Sequence, residues 1–150
     1  MEKTVALAAD HGGYELKNHI KKHLENRGIK YIDFGTNSPE SSDYPDWAKI
    51  GCGAVIDGSC DCALLFCGTG VGISISANKI KGIRACCCSD AFSAKFTRMH
   101  NDANALCLGG RVVGPGLAEI LVDLFLDTEF EGGGRHQVRV DKIKALENEF

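Results

Sequence analysis

The chain has 150 residues, 44% apolar and 25% charged, with a formal net charge of −3. That length suits one domain, residues 1–150, with a core of its own. The mild acidity excludes a nucleic-acid binder that works by charge, and no window of about 18 uncharged apolar residues exists to cross a membrane.

Met1-Glu2-Lys3-Thr4 runs straight into a predicted strand, with no signal or transit pattern, so a cytoplasmic protein is expected. Val5 to Ala9 is a short apolar run closed by Asp10-His11-Gly12-Gly13, a buried strand and a turn. Tyr14, Leu16, Ile20 and Leu24 recur at helical spacing, with Lys17, Lys21, Lys22 and Glu25 on other faces; Gly28 stops the helix. His19 and His23 stand one turn apart on it and read as a solvated face. Ile29 to Phe34 is a second strand, Gly35 to Asp43 a polar loop, and Pro45 to Ile56 a helix. Cys62 to Phe66 is a third strand, and Ile73 to Lys79 can begin a helix. Ile83 to Cys88 is a fourth strand, and Asp90 to His100 a helix. Ala105 to Leu108 is a fifth strand, closed by Gly109-Gly110. Leu117, Ile120, Leu121, Leu124 and Phe125 then form the apolar stripe of another helix. Gly132-Gly133-Gly134 is a joint before a last helix, Arg135 to Glu149. Strands and helices alternate, and the strands are continuously apolar. This is the pattern of an α/β fold with a parallel sheet covered on both faces.

Ligands of such folds bind beyond the carboxyl ends of the strands. Three groups of interest fall there: Asp10-His11, Cys67-Gly68-Thr69-Gly70-Val71-Gly72, and Gly109-Gly110-Arg111. The glycine loop after strand three points several backbone N–H groups at one spot, with a thiol at its mouth. It is no Walker loop and a poor dinucleotide fingerprint, and by itself it reads equally as a tight strand-to-helix turn. His11 alone reads as a turn residue. His100 beside Asn101, Asp102 and Asn104 forms a polar knot at a helix end. Arg135, His136 and Arg139 crowd the first turn of the last helix, where cations oppose the macrodipole; two guanidinium forks there suit a phosphate.

Eight cysteines are present, none in a C-x2-C pair, so a structural zinc site and a disulfide framework are both disfavoured. Cys86-Cys87-Cys88 reads as part of a buried strand, where cysteine acts as a small hydrophobe. Only Cys67 has the setting that activates a thiol.

These parts suit one chemistry. A phosphorylated sugar held by Arg135, Arg139 and His11 would bring its carbonyl end to Cys67. A thiolate there can take the proton next to the carbonyl, giving an enediolate held by N–H groups of Gly68 to Gly72. Thr69 relays a proton between the oxygens, His100 opens the sugar ring, and no metal or organic cofactor is required.

The motifs resemble the ribose-5-phosphate isomerase B family, which includes allose-6-phosphate and galactose-6-phosphate isomerases. They are Asp10-His11-Gly12-Gly13, Asp43-Tyr44-Pro45, the run from Cys67 to Ser74, Asn78-Lys79, Gly82 to Ala85, His100 to Asn104, Gly110 to Gly114, and Gly133 to His136. The resemblance implies a three-layer Rossmann-like fold with a five-stranded parallel sheet. It implies a base at Cys67, a ring-opening residue at His100, and substrate contacts from Asp10, His11, Gly68, Gly70, Val71, Gly72, Asn101, Arg111, Arg135 and Arg139. It also implies a homodimer, alone or paired into a dimer of dimers, in which the C-terminal helix crosses to the partner and each site draws on both subunits. Its expected reaction is the interconversion of ribose 5-phosphate and ribulose 5-phosphate. The third glycine of the joint and the triple cysteine depart from the family pattern. A six-carbon substrate, a non-catalytic phosphosugar-binding module and a nicotinamide oxidoreductase are the rival readings, the last disfavoured by the loop spacing.

Overall fold

The computed structural model describes residues 2–150. Five parallel strands form one sheet: β1 (Thr4–Ala9), β2 (Lys30–Asp33), β3 (Cys62–Cys67), β4 (Ala85–Cys87) and β5 (Ala105–Gly109), in the order β2-β1-β3-β5-β4. Helices α1 (Tyr14–Arg27), α2 (Tyr44–Ile56), α3 (Val71–Ala77), α4 (Ala91–Asn101), α5 (Pro115–Asp127) and α6 (Arg135–Leu146) connect and cover them. No described helix is long and apolar enough to cross a membrane.

The period-2 alternation of a strand divides its side chains between two cores. Val5, Leu7, Leu64, Phe66, Leu106 and Leu108 face α1 and α5, packing on Leu16, Ile20, Leu24, Leu121 and Phe125. Ala6, Ala8, Ala63, Leu65, Ala105 and Cys107 face α2 and α3. The second core is made of small residues because its helices come close: a Cβ on Gly51 would stand 2.9 Å from Leu65 Cδ2. Burial on both faces is why β1, β3 and β5 read as unbroken apolar runs.

β2 and β4 are the sheet edges, and both are shorter and wetter than the sequence suggests. The expected buried cysteine strand is corrected accordingly: Cys86 is half-buried, Cys87 exposed and only Cys88 buried. The Asn78 side chain covers the β4 edge, accepting from Ala85 N at 2.8 Å and donating to Ala85 O at 2.9 Å.

Two further expectations fail on α1. Lys17 is fully buried and its ammonium lies 2.7 Å from Asp33 Oδ1 on β2. His23 is no solvated side chain: it lies between Glu119 (2.9 Å) and Asp123 (2.7 Å) of α5. Arg27 extends the same seam to Asp123 and Asp127.

The last helix ends at Leu146, not Glu149, and docks on its own chain. Glu131 N donates to Met99 O at 2.9 Å, and Glu147 accepts from Gly82 N at 2.8 Å.

Candidate active site

The strand order reverses direction between β1 and β3, and at such a switch point the following loops diverge to leave a crevice. Ala9 pairs with Phe66 and Cys67 with Gly109, so the loops after β1, β3 and β5 leave the sheet side by side. Their contact is backbone on backbone. A Cβ on Gly13 would meet Phe66 C at 2.4 Å, one on Gly110 would meet Gly12 O at 2.4 Å, and one on Gly109 would meet Thr69 C at 2.5 Å. Gly110 N donates to Cys67 O at 2.8 Å and Arg111 N to Gly68 O at 2.9 Å, tying the loops together.

Above them lies a cavity of about 740 Å³. Asp10, His11, Cys67, Gly68, Thr69, Val71, Gly72 and Arg111, eight of the residues picked from sequence, line it. Cys67 closes β3 with 3% of its surface exposed, and Gly70 N donates to its Sγ at 3.1 Å. Gly70 itself packs behind the loop, at φ 80°, against Leu108 and Gly109. Two N–H groups of the expected oxyanion cradle are therefore engaged within the chain: Gly70 with the sulfur and Val71 with Thr69 Oγ1 at 3.2 Å. The Thr69 side chain stands exposed at the mouth. Asp10 is buried, and its carboxylate accepts from Gly12 N (2.9 Å) and Gly13 N (3.2 Å), which shapes the turn. His11 Nδ1 accepts from Ser42 N at 3.2 Å, which leaves its proton on Nε2 in the neutral ring.

That bond also brings in a wall that residue types did not reveal. Ser41, Ser42, Asp43 and Tyr44 line the cavity, and the Tyr44 ring sits where a Cβ on Gly72 would be, 2.7 Å from its Cζ. The Asp43-Tyr44-Pro45 motif was the available signal, since Pro45 opens α2 beside the site.

His100, Asn101, Arg135 and Arg139 do not line this cavity. They gather at the end of α4 and the start of α6, where His100 and His136 stack. Most of the polar knot there is structural: Arg84 donates to Asp102 O at 2.7 Å, and Asn104 bridges Arg84 N (2.7 Å) and Gly82 O (2.8 Å). His100, Glu131 and His136 bring ligand atoms within 4.8 Å of one another, but the two stacked rings are only 7° from parallel, so their lone pairs lie in separate planes and do not converge on one ion.

A thiol on the floor of a polar cavity at the switch point of a doubly wound sheet, with a guanidinium and an imidazole on its walls, defines an α/β enzyme-type site for a small anionic ligand. The Ribose/Galactose Isomerase family profile matches residues 5–143. Ribose-5-phosphate isomerase B of Escherichia coli is 51% identical over 145 residues, covering 97% of each chain. The Clostridium thermocellum ribose-5-phosphate isomerase B structure superposes with a TM-score of 0.95 at 50% identity, covering 97% of this chain and 98% of that one. The Mycoplasma genitalium enzyme, solved with bound ribulose 5-phosphate, gives 0.92 at 40% identity, covering 98% of this chain and 97% of that one. The chain belongs to the ribose/galactose isomerase family.

Proposed function

We propose that the protein is a cytoplasmic aldose–ketose isomerase that interconverts D-ribose 5-phosphate and D-ribulose 5-phosphate through an enediolate. The observation that carries this reading is Cys67 on the cavity floor, its sulfur already accepting a backbone N–H, in a chain related almost end to end to ribose-5-phosphate isomerases.

In the forward direction the Cys67 thiolate takes the C2 proton of the open-chain aldose and returns it to C1. The negative charge formed on the carbonyl oxygen is held by loop N–H groups, each such donor being worth about 3–4 kcal/mol. The Thr69 hydroxyl at the mouth moves a proton between O2 and O1. Arg111 and His11 serve the anionic end of the sugar, and the fork geometry of guanidinium favours phosphate.

Ring opening needs a further acid–base group, since His11 serves the anionic end of the sugar and its Nδ1 already accepts from Ser42 N. We assign it to His100 of a second copy, with Asn101, Arg135 and Arg139 arriving beside it on the same α4–α6 unit. A homodimer with sites shared between subunits joins the two half-sites. Val138 on α6 and Phe92 on α4, each more than half exposed, provide apolar surface for that pairing.

Steady-state turnover of ribose 5-phosphate, allose 6-phosphate and galactose 6-phosphate tests the reading. Ribose 5-phosphate is expected to be the best substrate, and Cys67→Ala to lower turnover by about 10²–10⁴-fold while ribose 5-phosphate still binds. Unchanged turnover in Cys67→Ala would overturn the assignment of the base.

A further inference from the structure

The triple cysteine lies outside the proposed chemistry, and its geometry is specific. Cys86 and Cys88 are two residues apart in extended chain, so they leave the same face of the sheet, and their sulfurs lie 3.2 Å apart. Cys87 points the other way, with its Sγ 3.7 Å from Thr69 O. Cys86 lines a groove of about 490 Å³ between β4, α4 and α6, together with Thr97, Asn101 and Ile143. Cys88 lies behind it with 3% of its surface exposed. One sulfur of the pair is thus reached from solvent and the other is shielded.

We propose that Cys86 and Cys88 are a redox dithiol, oxidised to a disulfide by hydroperoxides. The two sulfurs share a hydrogen bond that either can donate, and this bond, with help from Thr97, lowers the Cys86 thiol below the ordinary range against the effect of burial. Cys86 opens onto the groove while Cys88 is shielded behind it, so Cys86 is the attacking thiolate. It attacks one oxygen of hydrogen peroxide: an S–O bond forms, the O–O bond breaks, and the leaving hydroxide takes up a proton as water. The sulfur of Cys88, giving up its proton, then attacks the Cys86 sulfenic acid; the S–S bond forms, the S–O bond breaks, and a second water leaves. Two thiols lose two electrons and the peroxide gains them. Closure brings the sulfurs about 1 Å nearer, to a bond length of about 2.05 Å. Alternate Cα atoms of a strand are about 6.5 Å apart, inside the disulfide range, but the Cβ atoms must also draw together to about 3.8 Å, so closure requires the backbone at Cys88, just past the end of β4, to move.

The test uses the full chain, reduced, exposed to equimolar hydrogen peroxide and then alkylated. The tryptic peptide from Ala85 to Lys95 is expected to carry a single alkyl group, on Cys87, and to be about 2 Da lighter than the singly alkylated dithiol peptide, whereas the unoxidised control carries three alkyl groups; dithiothreitol before alkylation should restore the control pattern. Cys87→Ser should keep the bridge. Cys88→Ala should stop at a Cys86 sulfenic acid that dimedone captures, and Cys86→Ala should give no adduct at Cys88. A bridge that persists in Cys86→Ala or is lost in Cys87→Ser would overturn the proposal, as would full alkylation of all three cysteines after peroxide.

Discussion

The imidazole of His136 lies flat on that of His100, with ring centroids 3.9 Å apart. His136 Nε2 is enclosed and has no hydrogen-bond partner among the described residues. Removal from water, and then the charges of His100 and Arg135, hold its pKa below the usual histidine value. The unfolded chain therefore binds this proton more readily than the folded one. The stabilisation from neutral His136 is complete above about pH 6.5 and is lost as pH falls through the lower folded value. His136→Phe keeps a flat ring without the titrating nitrogen. Thermal melts between about pH 7 and 5 should show the wild type losing stability relative to that variant; parallel curves would refute the account.

Gly70 holds φ at 80°, and a Cβ there would stand 2.9 Å from Leu108 C and 3.0 Å from Cys87 Sγ. Gly70→Ala is expected to destabilise the fold by roughly 2 kcal/mol or more, from left-handed strain and the clash together. It also displaces the N–H that meets Cys67 Sγ. Turnover should fall at least about tenfold with substrate binding less affected, read by kinetics beside a urea titration.

Asp33 carries the ion pair with buried Lys17, and Lys21 adds a second contact at 3.2 Å. Asp33→Asn strands an ammonium without a counter-charge and is expected to remove about 3–5 kcal/mol, whereas Lys17→Met should cost far less because the carboxylate keeps Lys21 and some water. Burial pushes the Asp33 carboxyl up, but Lys17, the Gly35 N–H and Lys21 together hold it below the usual value. Its contribution is thus present above about pH 3.9 and lost as pH falls through the lower folded value. Denaturant midpoints of the two variants, ranked the other way, would contradict this.

Sharing of sites between subunits has its own signature. Cys67→Ala and His100→Ala should each be nearly inactive. Mixed and allowed to exchange subunits, they should recover about a quarter of wild-type activity, since half the dimers are mixed and each holds one intact site. No recovery after proven exchange would place both residues in one chain's site.

Much of this architecture was legible because the chemistry was local. β1, β3 and β5 are buried on both faces, so their sequences carry the signal unaided, and their glycine exits marked the crevice. Edge strands β2 and β4 have one wet side, which blurred their ends and the reading of Cys86 to Cys88. Lys17 and His23 were misread because what buries them, Asp33 on β2 and two acids on α5, lies on other elements. Ser41 to Tyr44 reach the cavity through a tertiary bond to His11, which spacing cannot reveal. Asp10, picked as a ligand contact, lines the cavity while its Oδ1 also holds the turn, a second task that the sequence did not show.

The three loops under the cavity meet through main-chain atoms at Gly12, Gly13, Gly109 and Gly110, where no side chain fits. The floor therefore behaves as a fixed chassis, and adaptation to a longer or shorter sugar has to come from the detachable trim on one bank: Ser41, Asp43 and Tyr44. An engineer seeking a new substrate would randomise those rim positions and leave the glycines untouched.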